Sequence, residues 1–161
     1  FEGMNVQYAG LWNYTSNKPQ GYGMAWDGEG VLYKGQWSDG NMEGYGTMTN
    51  DGNVYTGQWK DDNRKQGKMT YSDGNVCEGE WDDMDTLVNT KPVIITHPEK
   101  GIFIGNVITS TNEGTNEGVG VIRDNSGNIY CGGVKLNFET IDFEMHGRGC
   151  MKMAGGGTIF G

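Results

Sequence analysis

Tyr33-Lys34-Gly35-Gln36-Trp37 and Tyr55-Thr56-Gly57-Gln58-Trp59 carry one aromatic-x-Gly-x-Trp pattern, 22 residues apart. Working outward, the pattern recurs as Tyr8-Ala9-Gly10-Leu11-Trp12 and Cys77-Glu78-Gly79-Glu80-Trp81, then in worn form as Phe103-Ile104-Gly105-Asn106-Val107 and Tyr130-Cys131-Gly132-Gly133-Val134. Phe160 begins another. A second half accompanies most copies: Gly21-Tyr22-Gly23, Gly44-Tyr45-Gly46, Gly118-Val119-Gly120 and Gly147-Arg148-Gly149. The third copy keeps only Gly67, with Lys65 where the first glycine would stand. An apolar residue follows two positions later (Ala25, Met48, Met69, Ile122, Met151), and its neighbours are mostly polar, which is the period-2 alternation of a strand with one face inward. Asp51-Gly52, Asp73-Gly74 and Ser126-Gly127 supply the positive φ of tight hairpin turns. Each unit reads as strand, loop, strand, turn, and a repeat of this length means an array.

In an extended strand Tyr33, Gly35 and Trp37 share one face, and Gly44, Gly46 and Met48 are expected to share one face of the next. A glycine between two large rings removes the Cβ that would hold a ring off the backbone. The glycines of both halves, Gly10, Gly35, Gly44, Gly46, Gly57 and Gly79 among them, are therefore assigned to ring stacking. One hairpin alone is marginal in water, but stacked hairpins bury a continuous stripe. The expectation is an all-β, elongated, single-layer antiparallel β-hairpin solenoid.

Composition agrees. The chain has 161 residues, of which 29 are Gly and 3 are Pro, and the glycines have no three-residue period, so collagen is excluded. Eight Tyr, five Phe and five Trp are too many apolar rings for a solvated disordered chain. The net charge of −9 is the wrong sign for a phosphate backbone, so no nucleic acid is expected as partner. No apolar run approaches a spanning helix, and no signal-peptide pattern opens the chain. Cys77, Cys131 and Cys150 lack zinc spacing, and an odd count fits reduced thiols in a reducing compartment. Cys131 and Cys150 could nonetheless approach each other across one hairpin.

The YxGxW, GxGxM and DGxxY elements resemble the MORN repeat family, most closely over residues 33 to 81, well over 8 to 32, and more weakly from 103 to 161. Residues 1–86 read as regular repeats, 87–101 as a divergent insert with Pro92, Pro98 and Val93-Ile94-Ile95, and 102–161 as degenerate repeats. The insert is either a divergent strand or a projecting loop. Val107 and Val134 replace tryptophan, so the aromatic stripe should fade toward the C-terminus. The stretch from Lys135 to His146 is longer than a hairpin loop needs, and its Phe138, Ile141, Phe143 and Met145 are candidates to cover the sheet end. The chain opens Phe1-Glu2-Gly3 and closes Thr158-Ile159-Phe160-Gly161, both like the start of a repeat. The expectation is a piece of a longer array, with any catalytic domain outside it.

Chemistry is sparse. The Asp-Gly turns do not form the twelve-residue calcium loop, and two isolated histidines, His97 and His146, make neither a zinc site nor an acid-base pair. No catalytic residue, metal or cofactor is expected, and the chain reads as a non-enzyme. The candidate site is an aromatic groove formed by Tyr8, Trp12, Tyr33, Trp37, Tyr55, Trp59 and Trp81, whose exposed ring edges would receive a partner protein or a second copy of the chain. The resemblance implies an interaction scaffold in cytoplasmic, cytoskeletal or ciliary assemblies. It also leaves two alternatives: attachment to membrane phospholipid, which a net −9 chain disfavours, and service as the regulatory arm of an enzyme.

Overall fold

A computed structural model describes residues 6–28, 30–83, 86–88, 91–110 and 115–161. The opening Phe1-Glu2-Gly3, positions 84 and 85 at the end of the regular repeats, and positions 89 and 90 of the divergent stretch lie outside them. Among the described residues there is no helix, and all paired strands are antiparallel. The chain divides into two compact units, one of residues 1–72 with 80–87, the other of 73–79 with 88–161.

The first unit is built from β1 (Gln7–Asn13), β2 (Lys18–Trp26), β3 (Val31–Ser38), β4 (Asn41–Asn50), β5 (Asn53–Lys60) and β6 (Asn63–Thr70), each paired with the next in chain order. Two-residue turns join the later strands. Asp39-Gly40, Asp51-Gly52 and Asp61-Asp62 all have positive φ at both positions, the hairpin geometry whose twist matches that of the strands. The stretch expected to be a loop after Trp37 is thus a tight turn running straight into β4. These turns are tied to the preceding hairpin: Gly40 N donates to Pro19 O at 3.0 Å and Asp62 N to Met42 O at 3.2 Å.

Glycine faces glycine across the unit: Gly10–Gly23–Gly35–Gly46–Gly57–Gly67 is one cross-strand row, one residue per strand. Within each hairpin the pair is close, for a Cβ built on Gly35 would stand 2.5 Å from Gly46 Cα. In the first unit the first glycine of each GxG has a different task, which corrects its assignment to ring stacking. Gly44 lies where β4 carries extra residues against β3, at φ 67°, and a Cβ there would meet Gln36 Oε1 at 2.1 Å on the opposite face. Gly21 repeats this at φ 81° beside Leu11. A left-handed backbone selects glycine at these places. In β6 the bulge is one residue shorter, and Lys65 can stand there.

The second unit pairs the front of β7 (Val76–Trp81) with β9 (Val93–His97), and continues through β10 (Gly101–Ser110), β11 (Thr115–Arg123), β12 (Ile129–Asn137), β13 (Asp142–Lys152) and β14 (Thr158–Phe160). A two-residue strand, β8 (Leu87–Val88), precedes β9. The divergent stretch therefore contains a paired strand whose Val93 and Ile95 are fully buried. Pro92 and Pro98 flank it, where no ladder hydrogen bond is lost. Glycines again align, as Gly105–Gly120–Gly132–Gly149. Long strands replace the expected loop after Lys135: β12 runs to Asn137, β13 begins at Asp142, and Leu136, Ile141 and Phe143 are buried while Met145 is exposed.

Candidate functional site

Alternation puts Tyr33 and Trp37 on one face of β3, and the glycine row lets the phenol lie across two strands. The Tyr33 hydroxyl reaches past Gly35 and Gly46 and donates to Gln36 O at 2.9 Å. Tyr8 does the same to Leu11 O at 2.8 Å, Tyr55 to Gln58 O at 3.0 Å and, in the second unit, Tyr130 to Gly133 O at 3.0 Å. Phe103 lies over Gly105 and Gly120 without a hydroxyl to donate.

Tyr8, Tyr33 and Tyr55 are each then gripped by two indoles, that of their own hairpin and that of the next. Tyr33 meets Trp37 at 5.0 Å and Trp59 at 5.4 Å, and Tyr55 meets Trp59 at 5.0 Å and Trp81 at 5.4 Å, all nearly perpendicular. Tyr8 meets Trp12 at 5.7 Å and Trp37 at 5.4 Å. Such pairs contribute about 0.5–1.5 kcal/mol each beyond the area they bury. Trp59 Nε1 also donates to Gly46 O at 3.2 Å.

All seven rings named from the sequence thus share one face, but the rings consume one another. Tyr33, Trp37, Tyr55, Trp59 and Trp81 are buried, and only Tyr8 and Trp12 are half-exposed. The expectation of exposed ring edges along the groove is corrected for these five rings: neighbouring hairpins' rings cover them. What remains open is a cleft of about 520 Å³, floored by Tyr55 and Trp59, walled by Met48, Met69 and Tyr71, and rimmed by Asn50, Asn53, Asp62 and Asn63. Arg64 enters it at the register position that Met42 holds one hairpin earlier, since each lies opposite a tryptophan. Its guanidinium carbon is 5.7 Å from the centre of the Tyr55 ring, and burial lowers its pKa.

Burial pushes the Tyr55 phenol up to about 12, and raises that of Tyr33 as well. An unfolded tyrosine ionises near 10. The raised folded value stabilises the fold fully below about pH 10, and that contribution is lost as pH climbs through 12. We expect the tyrosinate absorbance of Tyr55, isolated by difference against Tyr55→Phe, to rise only as the β-sheet circular dichroism is lost. Ionisation near pH 10 on an intact fold would contradict this placement.

The opposite face was not singled out from the sequence. Tyr22 and Tyr45 are 54% and 55% exposed there, and with Lys34, Gln36 and Thr47 they line a shallow cleft of about 450 Å³. The signal was the central residue of Gly-Tyr-Gly, which alternation turns away from the ring face.

In the second unit the stripe fades as expected. Val107 and Val134 stand where the indoles were, and Phe143 packs near Phe103 at 6.0 Å. His97 accepts from Glu99 N and Lys100 N through Nδ1 and meets Phe143 edge-on, which is a turn-forming role; His146 is exposed. Among the described residues no cluster of His, Cys, Asp and Glu is arranged to hold a metal ion. The MORN repeat family model matches residues 33–54 and 55–76, the two hairpins whose rings and turns are most regular. No curated protein is significantly similar to the chain.

Proposed function

From residues 33–76 being MORN repeats, a family whose repeats mediate protein or membrane interactions, we propose that this chain is a non-enzymatic scaffold. It docks a partner protein along the ring face of its first unit, through the cleft beside Tyr55 and Trp59. The cleft carries this reading: the Tyr55 and Trp59 rings, held by their ring neighbours, offer a partner's apolar side chain a preformed floor between two adaptable methionine walls, so little ordering cost accompanies binding. Arg64 and the asparagine rim supply polar groups to orient it. The charge of −9 weighs against the phospholipid reading, because anionic lipid repels such a chain. The cytoplasm, or a cytoskeletal or ciliary assembly there, is the location we propose.

The test is to select peptides from a displayed random library on the folded chain. Peptides that use the cleft should lose at least about tenfold in affinity, roughly 1.4 kcal/mol, against Met48→Glu, and keep it against Tyr45→Ala on the opposite face. Circular dichroism verifies that both variants fold. Affinity unchanged by Met48→Glu would remove the cleft from the reading, and co-flotation of the chain with phosphoinositide vesicles would favour the membrane instead.

A further inference from the structure

Cys131 and Cys150 are direct cross-strand partners in the β12–β13 ladder. Tyr130 and Met151 beside them face the ring side, so the two thiols lie together on the opposite face, Cys131 exposed and Cys150 half-exposed. Their pairing type follows from the neighbouring glycine. Gly149 exchanges both backbone hydrogen bonds with Gly161, toward β14, so the next residue, Cys150, turns its N–H and C=O toward β12. Cys131 and Cys150 are therefore a hydrogen-bonded pair, for which Cα atoms stand about 5.5 Å apart. That lies within the Cα range of disulfides, but a hydrogen-bonded pair holds its Cβ atoms toward about 5.5 Å where a disulfide needs about 3.5–4.5 Å, so closing the bond must draw the two strands together and leaves it strained and easily reduced. Gly132 and Gly149 flank the two cysteines and give the backbone room to adjust. Arg148 and Lys152 lie on the same strand face as Cys150, one on either side, a cationic approach for an anionic thiol reagent.

We propose that Cys131 and Cys150 form a reversible dithiol site that takes a small anionic disulfide of the oxidised-glutathione class and is converted by it to a cross-strand disulfide. Cys131, the more exposed, gives its proton to solvent and attacks one sulfur of the small disulfide; that bond breaks, a mixed disulfide forms on Cys131, and the first small thiolate leaves. The deprotonated Cys150 then attacks the Cys131 sulfur, closing the internal disulfide and expelling the second thiolate. The two cysteines lose two electrons and two protons, and the small disulfide is reduced to two thiols. An exposed bond of this kind is readily reduced again. Cys77 takes no part, because it is 2% exposed and burial pushes its thiol up to about 12.

Incubating the reduced full chain with oxidised glutathione, blocking free thiols and mapping peptides without reductant tests this. The expected product links Cys131 to Cys150, leaves Cys77 free and reverts with dithiothreitol. Cys150→Ser should stop at a stable glutathione adduct on Cys131, and Cys131→Ser should react at least about tenfold more slowly. Wild-type chain that ends as a glutathione adduct, as a chain-to-chain disulfide, or with both thiols still free would overturn the proposal.

Discussion

Gly46→Ala is expected to destabilise the first unit by about 3 kcal/mol, at the upper end of what overpacking costs. The added methyl would stand 2.3 Å from the Tyr33 hydroxyl and 2.5 and 2.6 Å from two ring carbons. The ring cannot yield, because Trp37 and Trp59 hold its two sides and its hydroxyl is bound to Gln36 O. Urea unfolding should show the loss as a lowered midpoint with little change in slope. Gly155→Ala is the control: nothing lies within 4 Å of its added carbon, and the change should stay within about 0.5 kcal/mol. If ring and glycine are coupled as described, Tyr33→Ala should relieve part of the Gly46→Ala penalty, by more than about 1 kcal/mol in a double-mutant cycle. Additive effects would mean that the phenol does not rest on that backbone.

Trp59→Ala is expected to cost about 4 kcal/mol, as large-to-small changes at buried aromatics do. Its indole is 4% exposed, touches the tyrosines of two successive hairpins, and satisfies Gly46 O. Trp59→Phe keeps much of the apolar area but removes the indole donor to Gly46 O, and should cost about 1 kcal/mol through that lost hydrogen bond. Urea unfolding of the two variants separates packing from hydrogen bonding. A loss below about 1 kcal/mol for Trp59→Ala would show that the hairpins do not depend on this contact.

The fold was legible because its constraints are local. Two residues of positive φ, Asp51-Gly52 or Asp61-Asp62, must stand where such a hairpin closes, and a ring needs a glycine two positions on, so both leave a mark in these repeats. Gly44 was misread because a bulge breaks the alternation on which faces are assigned, and nothing in Gly-Tyr-Gly distinguishes a glycine that turns the chain from one that admits a ring. The burial of the groove rings was hidden for a different reason. Which side of Tyr33 stays free depends on Trp59, 26 residues away, and that contact is fixed by inter-strand register. In the second unit the pentapeptide decays, and Val93, Ile95, Leu136 and Phe143 fill the core from strands whose spacing the repeat does not dictate.

In the first unit Tyr8, Tyr33 and Tyr55 each cover glycines of their own hairpin, whereas the ring contact that joins one hairpin to the next is each time the same tyrosine-to-next-tryptophan edge. A hairpin copied along a gene therefore arrives with its own lid and a universal fastener, and needs no newly matched surface on either side. Such a chain can lengthen by duplication one hairpin at a time. Divergence then falls on the residues between the fasteners, as where Arg64 has taken the place of a methionine.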